Sequence, residues 1–90
     1  MMRVLNPQVN ATDELSLARL PVGAKARVIA VNGSGAIARR LMEMGVVPGA
    51  RVRVIKAAPL GDPIEIRVRG YHLALRRTEA QTISVIASDE

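Results

Sequence analysis

The residues most able to do chemistry in this sequence are one histidine and two carboxylates close to it along the chain. His72 is the only histidine, and Asp62 and Glu65 precede it within ten residues. A hairpin could bring these three side chains together, and a metal site needs several such convergent ligands. No spacing motif supports a metal site, so we favour ordinary surface residues. The chain has no cysteine, and its serines lack the pattern of a nucleophile elbow.

A glycine-rich segment, NGSGA at 32–36, lies between a predicted strand and a predicted helix, where phosphate loops are found. It lacks the GxxxxGK[ST] pattern, and the chain lacks the repeated strand-helix units of a nucleotide-binding fold. We therefore interpret it as a turn in which Ser34 begins the helix. Together these absences predict a protein that is not an enzyme and has no small-molecule substrate.

Positive charge is concentrated in the middle of the chain. Eleven Lys or Arg and three Asp or Glu lie between Lys25 and Arg77, so this segment carries +8 against +5 for the whole chain. Such a field attracts an acidic protein surface, an anionic membrane or nucleic acid. Proteins that bind single strands stack the bases on aromatic side chains, and Tyr71 is the only aromatic residue here. Nucleic acid is therefore disfavoured as the partner.

Short segments of alternating polarity predict a mainly β fold. They give about five strands, at 25–31, 50–56, 64–69, 72–76 and 83–86, with a single helical turn at 78–81. Five short strands that are buried on one side are expected to curl into a small β-barrel around an aliphatic core.

One inserted helix is predicted over about 35–44. Ile37, Leu41 and Met44 form its apolar stripe, and Gly45 supplies the left-handed residue that ends many helices. A short N-terminal helix is predicted over LSLARL, which begins at Leu15 after the helix-starting residues Thr12 to Glu14.

The chain divides into a flexible N-terminal arm at 1–14, a barrel domain at 15–87 and a C-terminal tail at 88–90. The sequence has no apolar run long enough for a signal peptide or a membrane span. We therefore expect a cytoplasmic protein, with the inner face of the membrane as a further location.

Arginines recur at every second position of two predicted strands. Only Glu65 offsets their charge, and like charges on neighbouring strands destabilise the pairing. We therefore expect these arginines to serve in docking, together with the exposed side of the helix. The predicted partner-binding residues are Arg39, Arg40, Met42, Arg51, Arg53, Arg67 and Arg69.

The order and spacing of several short motifs resemble the FeoA family over about residues 15–86. Each motif is weak alone, but their succession is specific. The matching residues are Leu17, Leu20 and Gly23; Arg40, Leu41, Met44 and Gly45; Pro48 and Gly49; Gly61, Asp62 and Pro63; Leu73, Leu75 and Arg76; and Ile83 and Val85.

This resemblance implies an SH3-like β-barrel in a non-enzymatic, cytosolic accessory protein of bacterial ferrous iron uptake. The implied partner is the cytosolic, GTPase-like part of the transporter FeoB, with the anionic inner-membrane surface as a second contact. The resemblance requires no cofactor and allows a weak or indirect association with Fe²⁺. A monomer and a homo-oligomer both stay open.

A similar barrel forms the C-terminal domain of DtxR-type repressors. The alternative is therefore a metal-responsive regulatory or nucleic-acid-binding module.

Overall fold

The computed structural model describes residues 14–88, in which six strands form one antiparallel sheet. The strands are β1 (Glu14–Ser16), β2 (Lys25–Val31), β3 (Arg51–Ala57), β4 (Ile64–Val68), β5 (Tyr71–Leu75) and β6 (Ile83–Ser88). The helices are α1 (Gly35–Glu43) and α2 (Arg77–Ala80), with a 3₁₀ turn at Leu17–Arg19. The order across the sheet is β1-β6-β2-β3-β4-β5. The mainly β fold and its inserted helix are confirmed.

Alternate residues of the central strands face a core of aliphatic side chains. In β4, Ile66 and Val68 are buried while Arg67 between them is exposed. Because side chains in a strand alternate with a period of two, one-sided burial fixes the register of each strand pair. The largest fully buried side chains include Leu17, Leu41, Ile66, Leu75 and Ile83.

Two irregularities in strand pairing let the sheet curl around this core. One lies in β2 between Val28 and Ala30, and the other lies in β3 between Val54 and Lys56. An extra residue on one strand bends that strand and increases its twist. Both irregularities lie in the strands at the middle of the sheet, where bending is needed most.

The predicted N-terminal helix is shorter than expected. Residues Glu14–Ser16 form β1 against β6, with Leu15 opposite Val85, and only Leu17–Arg19 turn as a 3₁₀ helix. An unpaired edge of β6 offers backbone hydrogen bonds that a short isolated helix cannot match, since a first helical turn is costly to form. Leu17 is fully buried within this segment.

The predicted terminal segments lie largely outside the described residues. Of the arm predicted at 1–14, only Glu14 is described, and it begins β1. Of the tail predicted at 88–90, only Ser88 is described, and it ends β6.

Helix α1 packs on the core through a different stripe from the predicted one. Leu41 is fully buried and Met44 is half-buried, but the side chain of Ile37 is 49% exposed. Ala38 is buried in its place. The small side chain of Ala38 lets the helix lie close to the core, which turns Ile37 outward.

The end of α1 is closed by hydrogen bonds that require a left-handed residue at Gly45. The Val46 amide donates to the Leu41 carbonyl at 3.0 Å, and the Gly45 amide donates to the Met42 carbonyl at 3.1 Å. This is the Schellman pattern, and Gly45 has a φ of 97°. The side chain of Arg69 also crosses Gly45, so that a Cβ there would lie 2.7 Å from Arg69 Cδ.

Replacing Leu41 with Ala should lower the free energy of unfolding by about 2–5 kcal/mol, because it leaves a cavity in the core. Ile37→Ala is the matched control on the same helix. Because Ile37 is half-exposed, its truncation should cost well under half as much. Urea unfolding of both variants measures the difference. Equal losses would show that α1 does not pack as described.

Gly45→Ala should destabilise the protein more than Gly49→Ala. Both glycines have a φ above 90°, which costs a side chain about 1–2 kcal/mol. Only at Gly45 would the new Cβ meet another side chain, that of Arg69. Thermal unfolding should therefore rank Gly45→Ala as the less stable variant. In an Arg69→Ala background the two costs should become equal, and an unchanged difference there would contradict the contact.

Candidate partner-binding surface

The outward side chains of β2, β3 and β4 form a basic face. Strand register places Lys25 opposite Arg53 and Arg53 opposite Arg67, while Arg27 lies opposite Arg51. Residues directly opposite on neighbouring strands have Cβ atoms about 5 Å apart. We define the basic face as Lys25, Arg27, Arg51, Arg53, Arg67 and Arg69, all of which are exposed.

Five cations of this face line one cleft of about 230 Å³. They are Lys25, Arg51, Arg53, Arg67 and Arg69. Ala26, Val52, Gly70 and Ser88 also line it, and among residues 14–88 no Asp or Glu does. Each pair of like charges at such spacing costs about 0.5–1 kcal/mol even in water. The fold therefore keeps a concentrated positive charge around this cleft, which we call the basic cleft.

Glu65 is an acidic residue at one end of the basic face. Glu65 Oε2 lies 2.7 Å from His72 Nδ1, and Lys56 Nζ lies 3.8 Å from Glu65 Oε1. Glu65 is thus engaged by Lys56 and His72 rather than by the arginines of the basic cleft. Its negative charge leaves the positive potential of the cleft largely in place.

The predicted cluster of Asp62, Glu65 and His72 does not assemble. Glu65 and His72 meet, but Asp62 Oδ1 accepts the backbone N–H of Arg77 at 3.0 Å, at the start of α2. Within residues 14–88 no group of three His, Asp or Glu side chains could hold a metal ion.

The NGSGA segment is a structural turn. Ser34 precedes the first residue of α1, as predicted, although its hydroxyl makes no capping hydrogen bond. Asn32 fixes the turn instead, because its amide Nδ2 donates to Ser84 Oγ at 2.5 Å and its backbone N–H donates to Thr82.

The exposed side of α1 is separate from the basic cleft. Arg39, Arg40 and Met42 are all exposed, but none of them is among the described residues that line the cleft. The seven predicted partner-binding residues therefore fall into two groups, four in the cleft and three on the helix.

Arg40 has a structural contact as well as an exposed surface. Its Nη2 donates to Oε2 of Glu79 on α2, while Glu79 Oε1 accepts the backbone N–H of Arg76 at 2.9 Å. The side chain of Glu79 is 9% exposed and that of Arg40 is 56% exposed. A buried carboxylate needs hydrogen-bond partners, and Arg40 supplies one to Glu79. This contact connects α1 to α2.

Arg69 belongs to the turn that joins β4 to β5. Arg69 and Gly70 both have positive φ values, 54° and 84°, as a two-residue type I′ turn requires. The next residue, Tyr71, donates its hydroxyl to the Met44 carbonyl at the end of α1. The hairpin is therefore held against α1, and Arg69 stands between the helix end and the basic cleft.

The sequence analysis missed Lys25 and Arg27 as members of the basic face. Their signal was present, because Lys25 and Arg27 alternate with the buried residues Ala26 and Val28. Which strand pairs with β3 could not be known from that alternation. The pairing of β2 with β3 brings both cations beside Arg51 and Arg53.

Comparison with known proteins identifies the family. A model of the FeoA domain matches residues 15–87. The chain is 38% identical over 71 residues to the Fe(2+) transport protein A/Fe(2+) transporter FeoB fusion protein of Porphyromonas gingivalis. That match covers 79% of this chain but only 8% of the fusion protein.

Solved structures agree with this match. The FeoA protein from Chlorobium tepidum is 44% identical, with a TM-score of 0.77 over 81% of this chain and 70% of that one. FeoA of Stenotrophomonas maltophilia, solved with zinc and described as a procaryotic SH3 domain protein, is 37% identical. Its TM-score is 0.72, over 79% of this chain and 88% of that one.

A more distant structure shares the fold alone. IdeR of T. acidophilum gives a TM-score of 0.76 over 90% of this chain and 37% of its own, with 18% identity. That likeness carries no functional conclusion. The FeoA model, in contrast, spans most of the sequence, and the FeoA structures share the SH3-like fold with it. This chain belongs to the FeoA family.

Proposed function

We propose that this protein is a non-enzymatic accessory protein of ferrous iron uptake that binds the cytosolic part of an FeoB transporter. The observation that carries the proposal is the Porphyromonas gingivalis relative, in which a similar domain and FeoB form one chain. Fusion holds two modules at a high effective concentration, which is useful when the modules act on each other. A separate chain needs a surface of its own to reach the same partner.

The surface we assign to this contact combines the basic face with the exposed side of α1. The cations are arranged in cross-strand pairs that cost stability, and the core does not use them. Met42, with 44% of its side chain exposed, adds an apolar contact beside Arg39. Arginine and methionine are enriched in protein interfaces, which suits this mixed surface.

The proposal needs neither a catalytic group nor a resident cofactor in this chain. Iron is the cargo of the transporter, and any association of this chain with Fe²⁺ would be weak or indirect. The location that follows is the cytoplasm, beside the inner face of the membrane. In residues 14–88 no helix has the length and apolar character needed to cross a bilayer.

The membrane surface would assist docking rather than replace it. Each Lys or Arg near an anionic leaflet contributes about 1 kcal/mol, so the six residues of the basic face would favour a position beside the transporter. A second copy could also add to the binding through the exposed edge of β5, the last strand in the sheet order.

Calorimetric titration of the full chain into the purified cytosolic domain of its FeoB should give saturable binding. The titration is run with and without a GTP analogue and Fe²⁺, so that any dependence on nucleotide identifies the recognised state. Saturable binding in no condition would contradict the proposal for the cytosolic domain.

Single charge reversals test the assigned surface. Arg39→Glu, Arg53→Glu and Arg67→Glu should each weaken binding by about tenfold, because each replaces an attraction by a repulsion. Arg19→Glu, on the 3₁₀ turn outside the surface, is the control with the same change in charge. Arg40 is left out because its reversal would place two carboxylates together at Glu79. Equal weakening by all four variants would show that only net charge matters.

A further inference from the structure

The basic cleft has more positive charge in a smaller volume than an ordinary docking surface needs. Its five cations line one open cleft of about 230 Å³. A cleft of this size admits a compact ligand that contacts several of these cations at once.

The charge of the cleft calls for a ligand with several negative charges in one small body. A single carboxylate neutralises one cation and leaves the cross-strand repulsions between Lys25, Arg53 and Arg67 in place. A chain of two or three phosphoryl groups carries its charges a few ångströms apart. It can therefore contact cations on three adjacent strands at once.

The kinds of donor also favour phosphoryl oxygens. Four of the five lining cations are arginines, whose planar fork donates two parallel hydrogen bonds to phosphate. Gly70, which also lines the cleft, has no side chain to restrict the entry of the ligand.

Bases of a nucleic acid would find no stacking partner here. No aromatic residue lines the cleft within residues 14–88, and the Tyr71 hydroxyl is bound to the Met44 carbonyl. Sites for single strands depend on such stacking, whereas a phosphoryl chain does not. The cleft therefore recognises the phosphoryl groups themselves.

We propose that the basic cleft is a binding site for a chain of phosphoryl groups, such as pyrophosphate, tripolyphosphate or the phosphate chain of a nucleotide. Arg53 and Arg67 lie opposite each other on β3 and β4 and make the principal contacts, while Lys25 lies opposite Arg53 on β2 and Arg69 also lines the cleft. This inference concerns the protein alone and does not depend on the transporter.

Calorimetric titration of the full chain with tripolyphosphate, in low-salt buffer without phosphate, tests the site directly. One saturable site per chain is expected. Arg53→Ala and Arg67→Ala should each raise the Kd about tenfold, because charge-assisted hydrogen bonds are lost. Arg19→Ala, which removes one charge outside the cleft, should raise it less than twofold. Equal effects of all three variants would overturn the site, since they would indicate only general attraction.

Competing anions identify the chemistry. Sulfate and citrate should bind at least tenfold more weakly than tripolyphosphate, and an equal affinity for citrate would overturn the phosphoryl assignment in favour of carboxylates. Comparing tripolyphosphate with GTP and ATP tells a free phosphoryl chain from a nucleotide. Tighter binding of a single-stranded oligonucleotide than of tripolyphosphate would instead assign the cleft to nucleic acid and overturn the proposal.

Two further measurements keep the result interpretable. Arg53→Ala should leave the melting temperature unchanged or raise it, because the change removes a cross-strand repulsion. Lost binding in this variant therefore cannot be attributed to unfolding.

Asp89 and Glu90 follow the lining residue Ser88 in the sequence and could compete with an added anion. The Asp89→Asn/Glu90→Gln variant removes this competition. Absence of binding in both the native protein and this variant would refute the site.

Discussion

One-sided burial of the sheet by aliphatic side chains is the constraint on which the rest of this protein depends. The chain has no Phe and no Trp, so the core must be filled by Val, Ile, Leu and Ala side chains from many elements. Each strand therefore has to present its apolar side inward in a fixed register. Because strand side chains alternate, the same register that buries Val52 and Ile66 must place Arg53 and Arg67 together on the outside. The basic face is thus a direct consequence of how the core is built.

Helix α1 closes the structure mainly through contacts of its C-terminal half. Leu41 enters the core, Arg40 holds the buried carboxylate of Glu79, and the end of the helix receives the hydroxyl of Tyr71. Gly45 allows the chain to reverse and gives Arg69 space to cross. Most residues of the FeoA-like motif from Arg40 to Gly45 therefore make contacts that hold the fold together. The residues left for binding are mainly those of the sheet surface and of the outer side of α1.

The two proposals use this surface at different scales. Binding to a transporter would engage the wide area formed by the basic face and the exposed side of α1. Phosphoryl binding would use only the basic cleft, which Arg53 and Arg67 line. Because the two sites share these arginines, a ligand in the cleft would compete with an acidic partner or would complete the surface that the partner recognises. The separate titrations distinguish the two events.

Five of the six strands, the inserted helix, the turn at Gly45 and the outward position of the arginines could be predicted from the sequence, since local alternation and glycine chemistry specify these features. It also carried enough motifs to point to the FeoA family. It misplaced the N-terminal segment, because the free edge of β6 outweighed the local preference for a helix. It misjudged Ile37, because a helix stripe depends on what the helix packs against.

The neighbours of each strand depend on the tertiary structure. Pairing of β2 with β3 brought Lys25 and Arg27 beside the predicted arginines, so that cations from three strands line one cleft. The same long-range contacts gave Arg40 its partner Glu79, 39 positions away along the chain. Such choices depend on the sum of backbone hydrogen bonds and buried area over the whole domain, so no local pattern in the sequence could reveal them.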